Sequence, residues 1–185
     1  MSMTYADLHV GMAFRSPGRT IGESDLQAFA GLTGDHSELH TSDVYGKASQ
    51  FGRRVAHGML GLAYAHGHMW ARTGELRETA IAFLGINEWK FVGPIFIGDT
   101  IFVNYTIAEL RDSKSKPTQA IAVFDVEVVV GGDGATGRDG AGASAGVGGA
   151  DGEGGGERVV QKGKKALLVS KVPLDAVAAS SKASA

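Results

Sequence analysis

The chain has 185 residues, which at roughly 150 residues per domain is the length of one domain. Eighteen basic residues against 20 acidic ones leave a net charge of −2, so the broad basic face of a nucleic-acid binder is excluded. No apolar run approaches the roughly 18–20 residues of a membrane span, the N-terminus carries no basic-then-apolar leader, and the absence of cysteine excludes disulfides, thiol catalysis and thiolate metal sites; the expectation is a cytoplasmic protein.

In chain order, residues 1–20 read as an extended entry with a turn near Ser16-Pro17-Gly18. From Glu23, the spacing of Leu26, Phe29, Ala30 and Leu32 predicts a short amphipathic helix, with Gly22 or Ser24 to start it and Gly34 to end it. Residues 35–56 are polar and without period, which predicts a long loop with a helical turn near 41–47. Residues 57–72, HGMLGLAYAHGHMWAR, are apolar nearly all round, the pattern of a helix buried in a core. Gly61 and Gly67 cost that helix about 1 kcal/mol each against Ala, so close packing is expected at both.

Beyond Gly74 the pattern turns to strands, at 80–91, 101–110, 119–130 and 158–170. Alternation is cleanest where Ala120, Ala122, Phe124, Val126, Val128 and Val130 share one face. Thirteen of the 28 glycines fall in residues 131–156. That block has too little apolar surface to offset the entropy of ordering it, and a hairpin needs only about 2–5 residues there. It reads as a flexible insertion, and its G-x-G matches lack the strand-then-helix setting of a dinucleotide site. The tail from 173 to 185 reads as frayed. One buried helix against a curved antiparallel sheet is an α+β architecture, with a single domain over residues 1–172.

Five of the six histidines lie within residues 36–68. Asp35 and His40 bracket a short polar step. A carboxylate and an imidazole brought together can hold one water and move protons in both directions. The spacing alone also suits ordinary loop residues. Gly58, after His57, falls in the first turn of the buried helix, where backbone N–H groups lack partners and face the positive end of the dipole. Glycine there lets a carbonyl oxygen approach closely, or it merely eases a tight entry into the helix. A metal is not expected, since no H-E-x-x-H or cysteine pattern occurs and His66 and His68 point to different helix faces. Neither is a serine nucleophile of the G-x-S-x-G type.

Taken together, GLTGDHSELHTSDVYGKASQFGRRVAHGML (residues 31–60) resembles the signature of the MaoC-like, (R)-specific enoyl-CoA hydratase family, roughly S/T-G-D-x-N-P-x-H followed by a polar stretch and A/V-H-G-M. Residues 91–100, FVGPIFIGDT, are similar to its F-x-x-P-V-x-x-G-D-T segment. The likeness covers about residues 5–130 and resumes at 158–170.

The resemblance implies a hotdog fold, a curved antiparallel sheet wrapped around one long helix. It implies addition of water to a 2-enoyl thioester, or its removal from a 3-hydroxyacyl thioester, on CoA or acyl carrier protein. By the same resemblance Asp35 and His40 are the catalytic pair, the Gly58 N–H is the donor to the thioester oxygen, no cofactor is required, and the protein is a homodimer with its acyl tunnel near the interface. His57, Ser37 and His66 are the further substrate-side candidates. Ser37-Glu38 stands where the family has Asn-Pro, and His66 where many relatives carry a small or hydroxylated residue. Arg53 and Arg54, ahead of the helix, are expected to meet the phosphates of CoA, with Lys162, Lys164 and Lys165 as the second basic cluster. The alternatives are a thioesterase and a non-catalytic acyl-thioester-binding or partner subunit.

Overall fold

The computed structural model describes residues 3–71, 76–131 and 156–173. The expected glycine insertion and C-terminal tail lie, apart from residues 131, 156 and 173, outside the described residues. After a 3-10 turn at Tyr5–Asp7 come β1 (Ala13–Arg15), β2 (Arg19–Thr20), α1 (Glu23–Thr33), α2 (Glu38–Thr41), α3 (Asp43–Ala48) and α4 (Gly58–Ala71). Four long strands follow: β3 (Ala80–Phe91), β4 (Thr100–Asp112), β5 (Gln119–Val130) and β6 (Arg158–Ser170). All pairings are antiparallel, in the order β1-β4-β5-β6-β3, with β2 also on β4.

The period-2 pattern of the strands decides which face is buried. Ile101, Val103, Tyr105 and Ile107 of β4 and Ala120, Ala122, Phe124, Val126 and Val128 of β5 are at most 2% exposed, while the residues between them are more exposed; the alternation breaks at the irregularity after Val128, where Val129 is buried too. Leu60, Ala65 and Met69 of α4 join the same apolar cluster, so the helix packs on the inner face of the sheet. The expectation that α4 is buried all round does not hold. Met59 is 56% exposed, and Ala63 and Gly67, one and two turns further along that ridge, are exposed as well. No described helix is long and apolar enough to cross a membrane.

The two helix glycines differ. A methyl group on Gly61 would lie 2.3 Å from Gln161 Nε2 and 2.8 Å from Ile95 Cδ1, so close packing accounts for it. Gly67 has nothing within 4 Å of such a methyl, and close packing does not account for it.

At the start of α1, Asp25 gathers the Gly22 N–H at 2.7 Å, the Tyr64 hydroxyl at 2.6 Å and Arg19 Nη2 at 2.6 Å, which ties α1 to β2 and α4. Burial alone would raise this carboxyl; the Gly22 N–H, the Tyr64 hydroxyl and the Arg19 guanidinium outweigh it and hold the group below the usual carboxylate range. Asp25→Ala is expected to cost about 1–3 kcal/mol, mainly from the two partners left without an acceptor, since half-exposed Arg19 is screened by water. A group whose folded pKa is depressed stabilises the fold fully above its unfolded value, about 3.9, and loses that contribution as pH falls through the folded one. The gap in urea midpoint between wild type and variant should therefore be constant at neutral pH and close in acid. A gap that widens in acid contradicts this.

Candidate active site

Within the polar stretch 35–56, α3 lies where a helical turn is expected, α2 is a further short helix ahead of it, and the rest is loop held by tertiary contacts. Gly34 ends α1 in the left-handed conformation (φ 76°), which a side chain would strain, and turns the chain toward Asp35. Asp35 is exposed, and its Oδ1 accepts the Ser37 N–H at 3.3 Å. One turn of α2 then brings His40 back over the site. Arg54 fastens the whole segment to α1, donating from Nη1 and Nη2 to Glu23 at 2.8 and 2.6 Å and from Nε to Asp43 at 2.7 Å.

Both imidazoles are oriented by backbone carbonyls. His40 Nδ1 lies 2.8 Å from Val55 O, and His57 Nε2 lies 2.9 Å from Asp35 O. A carbonyl only accepts, so each of these nitrogens carries the proton in the neutral ring. In that tautomer His40 has Nε2 left as its acceptor. The two rings stack, with centroids 3.9 Å apart and planes 31° apart, and Phe29 backs His57 at 5.0 Å. His57 is 2% exposed, so it serves as a buried strut that fixes the Asp35 backbone and the His40 ring together.

Asp35, His40 and His57 offer three polar atoms within 4.8 Å of one another. A single water reaching two acceptors through hydrogen bonds of about 2.8 Å spans such a gap. The same three residues are a possible metal donor set, but His40 Nδ1 and His57 Nε2 are already bonded to Val55 O and Asp35 O, which leaves one nitrogen of each ring for a cation.

Directly after His57, α4 begins. Its first backbone bonds run from Leu60 and Gly61 to His57 O, at 3.0 and 3.4 Å, so none uses the Gly58 N–H. That N–H has no acceptor among the described residues. The carbonyl of the same residue is held by the sheet: Gly58 O accepts from Gln161 Nε2 at 3.0 Å, and Trp89 Nε1 donates to Gln161 Oε1 at 3.3 Å. Gln161 and Trp89 escaped the sequence reading, since a contact between residues 58 and 161 leaves no local pattern.

The remaining expected residues are scattered. Arg53 stacks on Phe96, 3.8 Å from the ring centroid, and forms no ion pair among the described residues; Arg54 is engaged by its two carboxylates. His66 lies two turns along α4 from Gly58, against Phe83 at 4.8 Å. The basic cluster on β6 divides by strand parity. Lys164 pairs with Asp125 on the outer face at 2.6 Å, whereas Lys165 stands opposite Phe124 and enters the core, 0% exposed. Lys165 is thus no part of a solvent-facing phosphate cluster.

Comparison with known proteins matches this arrangement. The family model of the MaoC like domain matches residues 7–128. The chain is 33% identical over 110 residues to an (R)-specific enoyl-CoA hydratase of Rhodospirillum rubrum, covering 60% of this chain and 73% of that one. It is 31% identical over 131 residues to a 3-hydroxybutyryl-CoA dehydratase of Methylorubrum extorquens, covering 70% and 80% respectively. The match to Protein MaoC of Klebsiella aerogenes, 33% over 102 residues, spans only 30% of that protein's length. Among solved structures, the MaoC-like dehydratase from Rhodospirillum rubrum shares the fold with a TM-score of 0.71 at 23% identity, over 93% of this chain and 99% of that one. A Mycobacterium tuberculosis protein described as a double hotdog fold gives 0.67 at 18% identity, over 93% and 45%. The six-stranded sheet with its helices is a hotdog fold, and the chain belongs to the MaoC-like dehydratase family.

Proposed function

We propose that the protein is a hydratase/dehydratase that adds water across the C2–C3 double bond of a 2-enoyl thioester, and removes it in reverse. The observation that carries this is the Asp35 carboxylate and a ring nitrogen of His40 within one water's reach, beside a Gly58 N–H with no acceptor among the described residues. The names of the R. rubrum and M. extorquens relatives agree with it.

Asp35 accepts one hydrogen bond from the water and fixes its orientation. His40 Nε2 takes the other proton as the water oxygen bonds to C3. The C2–C3 π electrons move toward the thioester, and the Gly58 N–H bonds the oxygen on which negative charge gathers. The imidazolium then returns its proton to C2. One oxygen and two hydrogens are added, and no net proton is exchanged. His57 acts through His40 and Asp35 and positions both.

Two further features complete the reading. Among the described residues no strand lies beside the outer edge of β3, and Phe83, Leu84 and Phe91 on that strand and Val92 just after it are 44–53% exposed. A 12-residue edge strand of this kind is a template for another strand, and a second copy of the chain pairing β3 with β3 makes a homodimer. Arg53, whose guanidinium lies over Phe96 and forms no ion pair among the described residues, is our candidate to meet the phosphates of a CoA thioester. Arg53→Ala should raise KM for a CoA substrate several-fold with little change in kcat, because a remote contact is made equally in ground and transition states. The effect should shrink in high salt. An unchanged KM at low salt moves the phosphate site elsewhere.

The test of the activity is incubation with crotonyl-CoA while enoyl absorbance and free thiol are followed together. Loss of absorbance without thiol release is expected. Thiol release identifies a thioesterase instead, and neither change leaves a binding subunit.

A further inference from the structure

Two buried polar atoms on the inner face of the sheet have no hydrogen-bond partner among the described residues: Lys165 Nζ on β6 and His66 Nδ1 on α4. They belong to one cluster. The His66 ring lies 4.8 Å from the Phe83 ring, and Lys165 Nζ lies 5.9 Å from the same ring's centroid. No ion pair to either is formed among the described residues. An ammonium with no counter-ion in a core is a costly arrangement. Burial pushes the Lys165 amine down to about 7, and burial together with nearby Lys165 holds His66 below the usual imidazole range. Replacing Lys165 by an apolar residue would relieve that cost, so its presence calls for an acceptor that arrives from outside.

The place of the cluster indicates which acceptor. At Gly58 the start of α4 and the middle of β6 are joined by the Gln161 amide. From that contact His66 lies eight residues along α4, about 12 Å of helix rise. Lys165 lies four residues along β6, about 13 Å of strand. The two elements thus run side by side from the free Gly58 N–H to the Lys165–His66 pair. Phe83, 44% exposed on the edge strand, forms the wall between the pair and solvent.

We infer that Lys165 and His66 read the far end of the acyl chain, and that the preferred substrates carry a carboxylate there, at the ω carbon of a medium-length acyl thioester. A thioester carbonyl at Gly58 and a carboxylate at Lys165 are separated by the length of roughly eight to ten carbons, given the 12 Å rise. The carboxylate supplies the acceptor for the ammonium and for a protonated His66, two charge-assisted bonds in an apolar setting. An unsubstituted chain of the same length leaves both unpaired.

This inference rests on the hydratase reading, and the experiment separates the two. The wild-type protein is titrated with two saturated, unreactive thioesters of equal length, decanoyl-CoA and the ω-carboxylated decanedioyl-CoA. Its turnover is measured on crotonyl-CoA and on the corresponding trans-2-enoyl pair. The expected result is about tenfold or greater selectivity for the ω-carboxylated member, in Kd and in kcat/KM. In Lys165→Met that ratio should fall to near one or below, while the thermal midpoint without ligand rises. A merely structural lysine would leave the ratio unmoved. Equal binding of the two saturated thioesters by wild type, or tighter binding of decanoyl-CoA, overturns the inference whether or not the variant folds. Failure to hydrate crotonyl-CoA and both trans-2-enoyl thioesters, with the binding preference intact, overturns the hydratase reading alone.

Discussion

Asp35→Asn is expected to lower kcat for crotonyl-CoA hydration by about 10²–10⁴, the scale on which positioned acid–base groups act. The substitution keeps the shape of the side chain and removes its charge. It should leave the fold intact, because what His57 grips is the Asp35 backbone carbonyl and not the carboxylate. The Ser37 N–H that Oδ1 accepts can be accepted equally well by an amide oxygen. What is lost is the second acceptor for the attacking water. An amide also offers donors, which allow the water to be held in the wrong orientation for His40 Nε2. Unchanged thermal stability with a collapsed kcat is the expected pair of results. Turnover like that of wild type would remove Asp35 from the mechanism.

The long strands were legible because one face of each is buried. Alternation in β4 and β5 is forced by a core on one side and water on the other, and it is visible without a structure. β1 and β2 were not legible, since strands of three and two residues carry no period and exist only by pairing with β4. α2 was not legible and α3 only as a helical turn, for a related reason. Four and six residues are too few for a helix to stand on propensity. They persist because Arg54 reaches Glu23 and Asp43 and because His40 and Val55 are clamped together, contacts that span 11 to 31 residues.

In the site itself, the resemblance to the family motif singled out Asp35, His40 and Gly58 where spacing alone also suited ordinary loop residues, and the fold brings polar atoms of the first two within 4.8 Å of each other. The rest was hidden by distance along the chain. His57 was seen as the residue before a glycine, whereas its work is done by a ring nitrogen bonded 22 residues away. Lys165 was masked by the basic run around it. Parity held the missing signal: Lys165, Leu167 and Val169 share one face of β6, and the other two are core residues. A lysine in phase with a strand's apolar face is the mark of a buried cation rather than of a surface cluster.

Gly58→Pro against Gly58→Ala is the sharper test of how the thioester oxygen is held. Proline has no N–H, and the first position of a helix is where that loss harms the backbone least. Here the helix's own bonds start from Leu60 and Gly61, so Gly58 donates nothing to it. Both variants add a Cβ about where a methyl group would meet Phe91 ring carbons at 3.1 Å. Phe91 is 53% exposed and can yield by the few tenths of an ångström required. Alanine therefore reports the steric cost alone, and proline reports that cost plus the missing donor. Removal of one donor to a developing oxyanion costs about 10²–10³ in kcat. The expected result is a proline variant slower than the alanine variant by that factor, with both melting close to wild type. If Gly58→Pro turns over crotonyl-CoA as fast as Gly58→Ala, the Gly58 N–H does not stabilise the enolate, and the oxyanion donor lies elsewhere.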